Sequence, residues 1–118
     1  MINKRELGAR YEIRTADYLQ HQGYTILERN FHCHLGEIDL IARRGRTIAF
    51  VEVKYRAGRD YGFPEEAVDF RKQRRIMRVA QYYILTHPWA SELDGRYDVA
   101  AYQADDSLVY YEGAFGGM

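Results

Sequence analysis

The residues best placed to do chemistry are two acids and a lysine. Asp39 lies in Gly36-Glu37-Ile38-Asp39-Leu40-Ile41-Ala42, and Glu52 and Lys54 lie in Thr47-Ile48-Ala49-Phe50-Val51-Glu52-Val53-Lys54-Tyr55. Both segments are short, apolar and rich in β-branched residues, the pattern of strands, and Arg43-Arg44-Gly45-Arg46 between them predicts a tight turn. Alternate side chains of a strand share a face. Glu52 and Lys54 therefore lie with Ile48 and Phe50, while Glu37, Asp39 and Ile41 lie together on the neighbouring strand. A two-residue turn at Arg44-Gly45 pairs Asp39 with Phe50 and Glu37 with Glu52, making Asp39 and Glu52 diagonal neighbours roughly 5.5–8 Å apart. A three-residue turn would separate them. Carboxylates held together repel, and a hard divalent cation that prefers oxygen relieves the repulsion. Beside such an ion Lys54 can orient an attacking water or steady developing charge.

A lone Glu-x-Lys is usually surface decoration. The elements around this one give it more weight. Lys4 to Gln22 reads as an amphipathic helix whose inward arc holds Leu7, Gly8, Tyr11, Thr15, Ala16, Tyr18 and Leu19. Glu12 sits in the same arc, where an unpaired carboxylate is costly. It either reaches over the sheet to the same ion or pairs with an arginine. Gly23 is a natural stop for this helix.

Tyr24 to Cys33 is the least regular of three successive strands. Arg56 to Phe63, with Gly58 and Gly62, reads as a loop, and Pro64-Glu65-Glu66 as the opening of a helix that runs to about Thr86. Its apolar stripe is Val68, Ile76, Val79, Ala80, Tyr83 and Ile84, with Arg71, Lys72, Arg74, Arg75 and Arg78 around it. Arg96 to Gln103 and Ser107 to Glu112 are further strands joined by an Asp105-Asp106 turn, and Gly113 to Met118 reads as a frayed tail. The order α-β-β-β-α-β-β predicts an α/β mixed sheet. Its first three strands should be antiparallel and its crossover strand parallel to one of them. His32-Cys33-His34 is not a convincing metal site, because alternation turns Cys33 away from both histidines. Arg96 and Asp98 share a face and are expected to form an ion pair.

Length and charge set the outer limits. A chain of 118 residues, 47% of them hydrophobic, suits a single folded domain spanning 1–118 and argues against disorder. Cys33 has no partner within the chain, which fits a reducing compartment. Met1 to Arg10 has no signal-peptide core, and no stretch approaches the ~20 apolar residues of a membrane span, so a cytoplasmic domain is expected. The formal net charge of zero hides a division: residues 1–42 carry −1, residues 43–78 carry +6, and residues 79–118 carry −5. The middle block could meet phosphate, or be a solvated helix face.

The sequence also resembles the YraN family of small bacterial proteins across residues 8–101. The resemblance is carried by Gly8-x3-Glu12-x3-Ala16-x-Tyr18-Leu19, Arg29-Asn30-Phe31, Gly36-Glu37-Ile38-Asp39-Leu40-Ile41, Phe50-Val51-Glu52-Val53-Lys54-Tyr55-Arg56, Lys72-Gln73-Arg74-Arg75 and Arg96-Tyr97-Asp98-Val99. That family is similar to the restriction-endonuclease-like superfamily, with its α-β-β-β-α-β core, and within it to archaeal Holliday-junction resolvases. The resemblance implies that Asp39, Glu52 and Lys54 are a catalytic set. Asp39, Glu52, the Val53 carbonyl and Glu12 would then hold Mg²⁺ or Mn²⁺, with Glu37 supporting them from behind. Arg56, Arg59, Lys72, Arg74, Arg75 and Arg78 would hold a DNA backbone without reading bases. The expected activity is metal-dependent phosphodiester hydrolysis, selective for shape or branching over sequence; a homodimer is compatible with the chain. The alternatives are a non-catalytic nucleic-acid-binding module on the same fold, and an adaptor whose basic helix docks an acidic protein.

Overall fold

Residues 3–55 and 68–116 are described by the computed structural model. The elements are α1 (Lys4–His21), β1 (Thr25–Cys33), β2 (Gly36–Arg44), β3 (Thr47–Tyr55), α2 (Phe70–Thr86), a short 3-10 helix (Pro88–Glu92), β4 (Asp94–Tyr102) and β5 (Leu108–Phe115). The sheet order is β1-β2-β3-β4-β5. The first three strands pair antiparallel, β4 returns parallel to β3, and β5 is antiparallel to β4. This is the α/β architecture expected, with the α-β-β-β-α-β core in place and a fifth strand added. None of the described helices is long and apolar enough to cross a membrane.

Each helix covers one face of the sheet because each carries one apolar stripe. Tyr11, Ala16 and Leu19 of α1 pack with Leu40, Ala42, Ala49, Val51, Ala100 and Tyr102. Ile76, Val79, Ala80 and Tyr83 of α2 pack with Ile41, Ile48, Phe50, Val99 and Ala101. The two lists divide the central strands by alternate residues, as a sheet buried on both faces requires.

Three boundaries differ from expectation. The β2–β3 turn is Gly45-Arg46, not Arg44-Gly45: Arg44 pairs with Thr47, Ile41 with Phe50 and Leu40 with Val51. Gly45 takes φ +60° at the first turn position, and a two-residue hairpin places its glycine there. Asp39 therefore does not pair with Phe50, nor Glu37 with Glu52. The ladder from Leu40 to Arg44 moves by one pair, which leaves those side chains on their expected faces. Helix α2 begins at Phe70, because the Asp69 side chain accepts from the Lys72 amide at 2.9 Å and caps it there. The Pro64-Glu65-Glu66 opening and the Arg56 to Phe63 loop lie outside the described residues. The tail is not frayed from residue 113, since β5 runs to Phe115, whose ring stacks on Tyr97.

Candidate functional site

The site begins where β2 and β3 part. Their ladder is recorded as far as Leu40 and Val51, and the next residue on each strand is an acid, Asp39 or Glu52. The Asp39 carboxylate takes the Val53 amide at 2.8 Å, so a side chain stands in for the next rung. Asp39 also marks a change of phase in β2. Ile38 and Ile41 both join the cluster under α2, while Leu40 between them joins the one under α1. Opposite, on β1, Asn30 adopts φ +53°, a left-handed conformation that asparagine tolerates better than most residues. The twist leaves Asp39 where groups from either face can approach it.

Glu52 follows Ile48 and Phe50 on the α2 side and is only 6% exposed. Its carboxyl lies close enough to that of Asp39 to feel its charge. Burial first, and then the Asp39 charge, push its pKa up to about 8; Lys72 opposes the shift. Lys72 Nζ stands 3.3 Å from Glu52 Oε1. Lys54 is half-buried on the same face, beside Ala101 of β4.

Glu12 comes from the other side of the sheet. It is half-buried and titrates above the ordinary glutamate range, because of burial and then because of the Asp39 charge. The nearby Asn30 side chain works against that shift. The arginine partner considered for Glu12 is not found among the described residues.

Glu37 does not share the Asp39 and Glu52 cluster as simple alternation predicted, because the phase change turns it away. It is exposed and pairs with His32, Nε2 to Oε2 at 2.7 Å, while His32 Nδ1 meets the Asn30 carbonyl at 2.7 Å. His32 and Glu37 thus form a wall between two clefts. One is lined on the far side by Gly8, Ala9 and Glu12 of α1, the other by Lys72, Arg75 and Ile76 of α2. Cys33 packs against the α2-side core.

The basic residues divide. Lys72 and the exposed Arg75 line the second cleft, whereas Arg74 and Arg78, also exposed, are not in its lining, and Arg74 lies over the Phe70 ring. Arg56 and Arg59 lie outside the described residues. The Lys72 contact was the feature sequence reasoning missed. Its signal was there: Lys72 prolongs the buried stripe of Ile76, Val79 and Tyr83 by one turn. Arg96 and Asp98 form the expected pair, with two bonds of 2.8 Å, and Tyr110 and the Gly113 amide complete the shell of a fully buried carboxylate.

Among the described residues no group of three or more His, Cys, Asp and Glu side chains is arranged to hold a metal. The Asp39–Glu52 contact still suits a hydrated hard cation. Mg²⁺ commonly takes one or two carboxylates and keeps several waters, and it would relieve the repulsion between the two acids.

The family model described as "Uncharacterised protein family UPF0102" matches residues 11–102. A UPF0102 protein of Lachnoclostridium phytofermentans is 48% identical over 98 residues, 83% of either chain. One from Caldicellulosiruptor saccharolyticus is 51% identical over 83 residues, 70% of either chain. Another, from Caldanaerobacter subterraneus, is 46% identical over 98 residues, 83% of this chain and 80% of its own. The matched span contains Glu12, Asp39, Glu52, Lys54 and all of α2.

Proposed function

The chain belongs to the uncharacterised protein family UPF0102, the YraN family, and we propose that it is a divalent-metal-dependent DNA phosphodiesterase. One observation carries this reading: two acids of adjacent strands, half-buried Asp39 and buried Glu52, come together where β2 and β3 part, beside Lys54 on a face that α2 lines with basic residues. Such a contact costs stability unless it serves a cation.

Asp39 and Glu52 would hold Mg²⁺ or Mn²⁺, with the Val53 carbonyl available and Glu12 near enough to add charge. Such an ion supplies activation of water and charge neutralisation at phosphorus. Lys54 orients the attacking water, and Arg75 holds the strand through its phosphate. Contacts of this kind hold a backbone without reading bases, which suits selection by shape or branching.

The test is cleavage of single-stranded, duplex, flap and four-way DNA in Mg²⁺ or Mn²⁺, with Asp39→Asn as control. Metal-dependent cleavage that Asp39→Asn abolishes supports the reading; cleavage that survives this change rejects the site. A second reading, a non-catalytic nucleic-acid-binding module, draws on the lack of a third ligating side chain among the described residues. It predicts metal-independent binding and no cleavage of any of the four substrates.

A further inference from the structure

Lys72 was expected on the phosphate-binding surface, but its ammonium group lies 3.3 Å from Glu52, whose side chain is almost wholly buried. Lys72 is itself partly exposed, and it lines the cleft between α2 and the β1–β2 hairpin with Arg75, His32 and Gly36. It has one cation to give and two anions within its range, the carboxyl pair inside and any phosphate that enters the cleft. The Asp69 cap fixes the backbone at Lys72, so the choice falls to the flexible side chain.

We propose that Lys72 is an exchangeable counter-cation. It neutralises the Asp39–Glu52 pair in the empty site, gives way when a divalent ion enters, and then turns to the backbone phosphate in the cleft. Metal loading and phosphate binding are thereby coupled through one side chain, which acts as a positioning residue. This rests on Asp39 and Glu52 being the metal site.

The direction of the coupling follows from charge. A cation 3.3 Å from a ligand oxygen repels a divalent ion at that oxygen. Removing the lysine charge should therefore favour metal binding. By linkage, whatever the metal gains when phosphate holds Lys72 away from Glu52, phosphate must gain when the metal is bound.

The experiment measures Mn²⁺ binding to the full chain by the paramagnetic resonance signal of free Mn²⁺, without substrate. Lys72→Met should bind Mn²⁺ about tenfold more tightly than wild type, an order-of-magnitude expectation for removing one nearby charge. Lys72→Arg, which keeps the charge, should stay within about twofold of wild type. Lys72→Gln is measured in parallel, so that a folding defect in one variant does not decide the result. Equal or weaker binding by both neutral variants overturns the exchange. Asp39→Asn separates the two levels. If Mn²⁺ affinity ignores Asp39→Asn, the metal site is elsewhere and the exchange falls with it. If Asp39→Asn weakens Mn²⁺ binding but the neutral variants gain nothing, only the exchange falls. As a second readout, Ca²⁺ should tighten wild-type binding to a short DNA duplex, and it should do so several-fold less in Lys72→Met; equal tightening also overturns the exchange.

Discussion

At the scale of single residues, the carboxyls explain the site better than their spacing does. Glu52 has a folded pKa of about 8, set by burial and by Asp39, against an unfolded value near 4.3. Between those values the folded chain holds a proton that the unfolded chain lacks. Without metal, stability should therefore fall as pH rises through that window, by at most about 1.4 kcal/mol per pH unit, and level off above pH 8. Glu52→Gln keeps the shape of the protonated acid, so its stability should be flatter across the window and exceed wild type at the alkaline end. Urea unfolding from pH 5 to 9 in a chelator checks this, and parallel profiles would refute it. The same substitution should abolish metal-dependent cleavage and leave DNA binding largely intact. Glu12 lies near Asn30 and has no described arginine partner, while burial and the Asp39 charge raise its pKa. Glu12→Gln should leave metal-free stability unchanged or slightly higher and weaken Mn²⁺ binding several-fold. Thermal melts with and without Mn²⁺ decide it: a large metal-free loss with an unchanged metal-induced shift would make Glu12 structural.

Whole elements were legible wherever a period was long or a pattern strict. The α1 stripe placed Tyr11, Thr15, Ala16 and Leu19 inward, where they are buried. Strand parity held from Leu40 to Arg44 although the β2–β3 turn moved, because a shift by one full pair exchanges partners and leaves those side chains on their faces. What could not be read was local backbone chemistry. Nothing in Arg29-Asn30-Phe31 announces that Asn30 takes φ +53°, and nothing in Ile38-Asp39-Leu40 announces a break in alternation at Asp39. Those two residues turn Glu37 away and bring Asp39 within influence of Glu12. The Pro64-Glu65-Glu66 pattern outweighed Asp69 as the start of α2, although Asp69 supplies the cap. Gly36 shows how closely these elements are fitted. It has φ +144°, and an added Cβ would lie 3.0 Å from Arg75 Cδ and 3.4 Å from a Val79 methyl. Gly36→Ala should cost about 1–3 kcal/mol, from a conformation alanine resists and from displacement of Arg75. Asp69→Ala should cost about 1 kcal/mol through the lost cap. Denaturant midpoints measure both, and a neutral Gly36→Ala would show that the hairpin tip can slide away from α2.

Across the whole molecule, the zero net charge is a misleading average. The +6 of residues 43–78 and the −5 of residues 79–118 describe a chain that can attract phosphate locally without being basic overall. If α2 holds a DNA backbone, each phosphate neutralised releases condensed counterions, and affinity falls with salt at a slope of about 0.9 per contact on duplex DNA. Arg75 lines the cleft and is available with or without metal, whereas Lys72 is engaged by Glu52 until a cation replaces it. The double change Lys72→Gln with Arg75→Gln should then flatten the salt slope unequally: by about one contact in a chelator, where only Arg75 was serving phosphate, and by about two in Ca²⁺. The loss should be similar for unrelated sequences, because phosphate contacts position a duplex without reading it. An adaptor that docks an acidic protein would show no such slope on DNA. A flattening of two contacts in both conditions would mean that Lys72 already serves phosphate in the empty site, and an unchanged slope in both would reduce the basic helix to a solvated face.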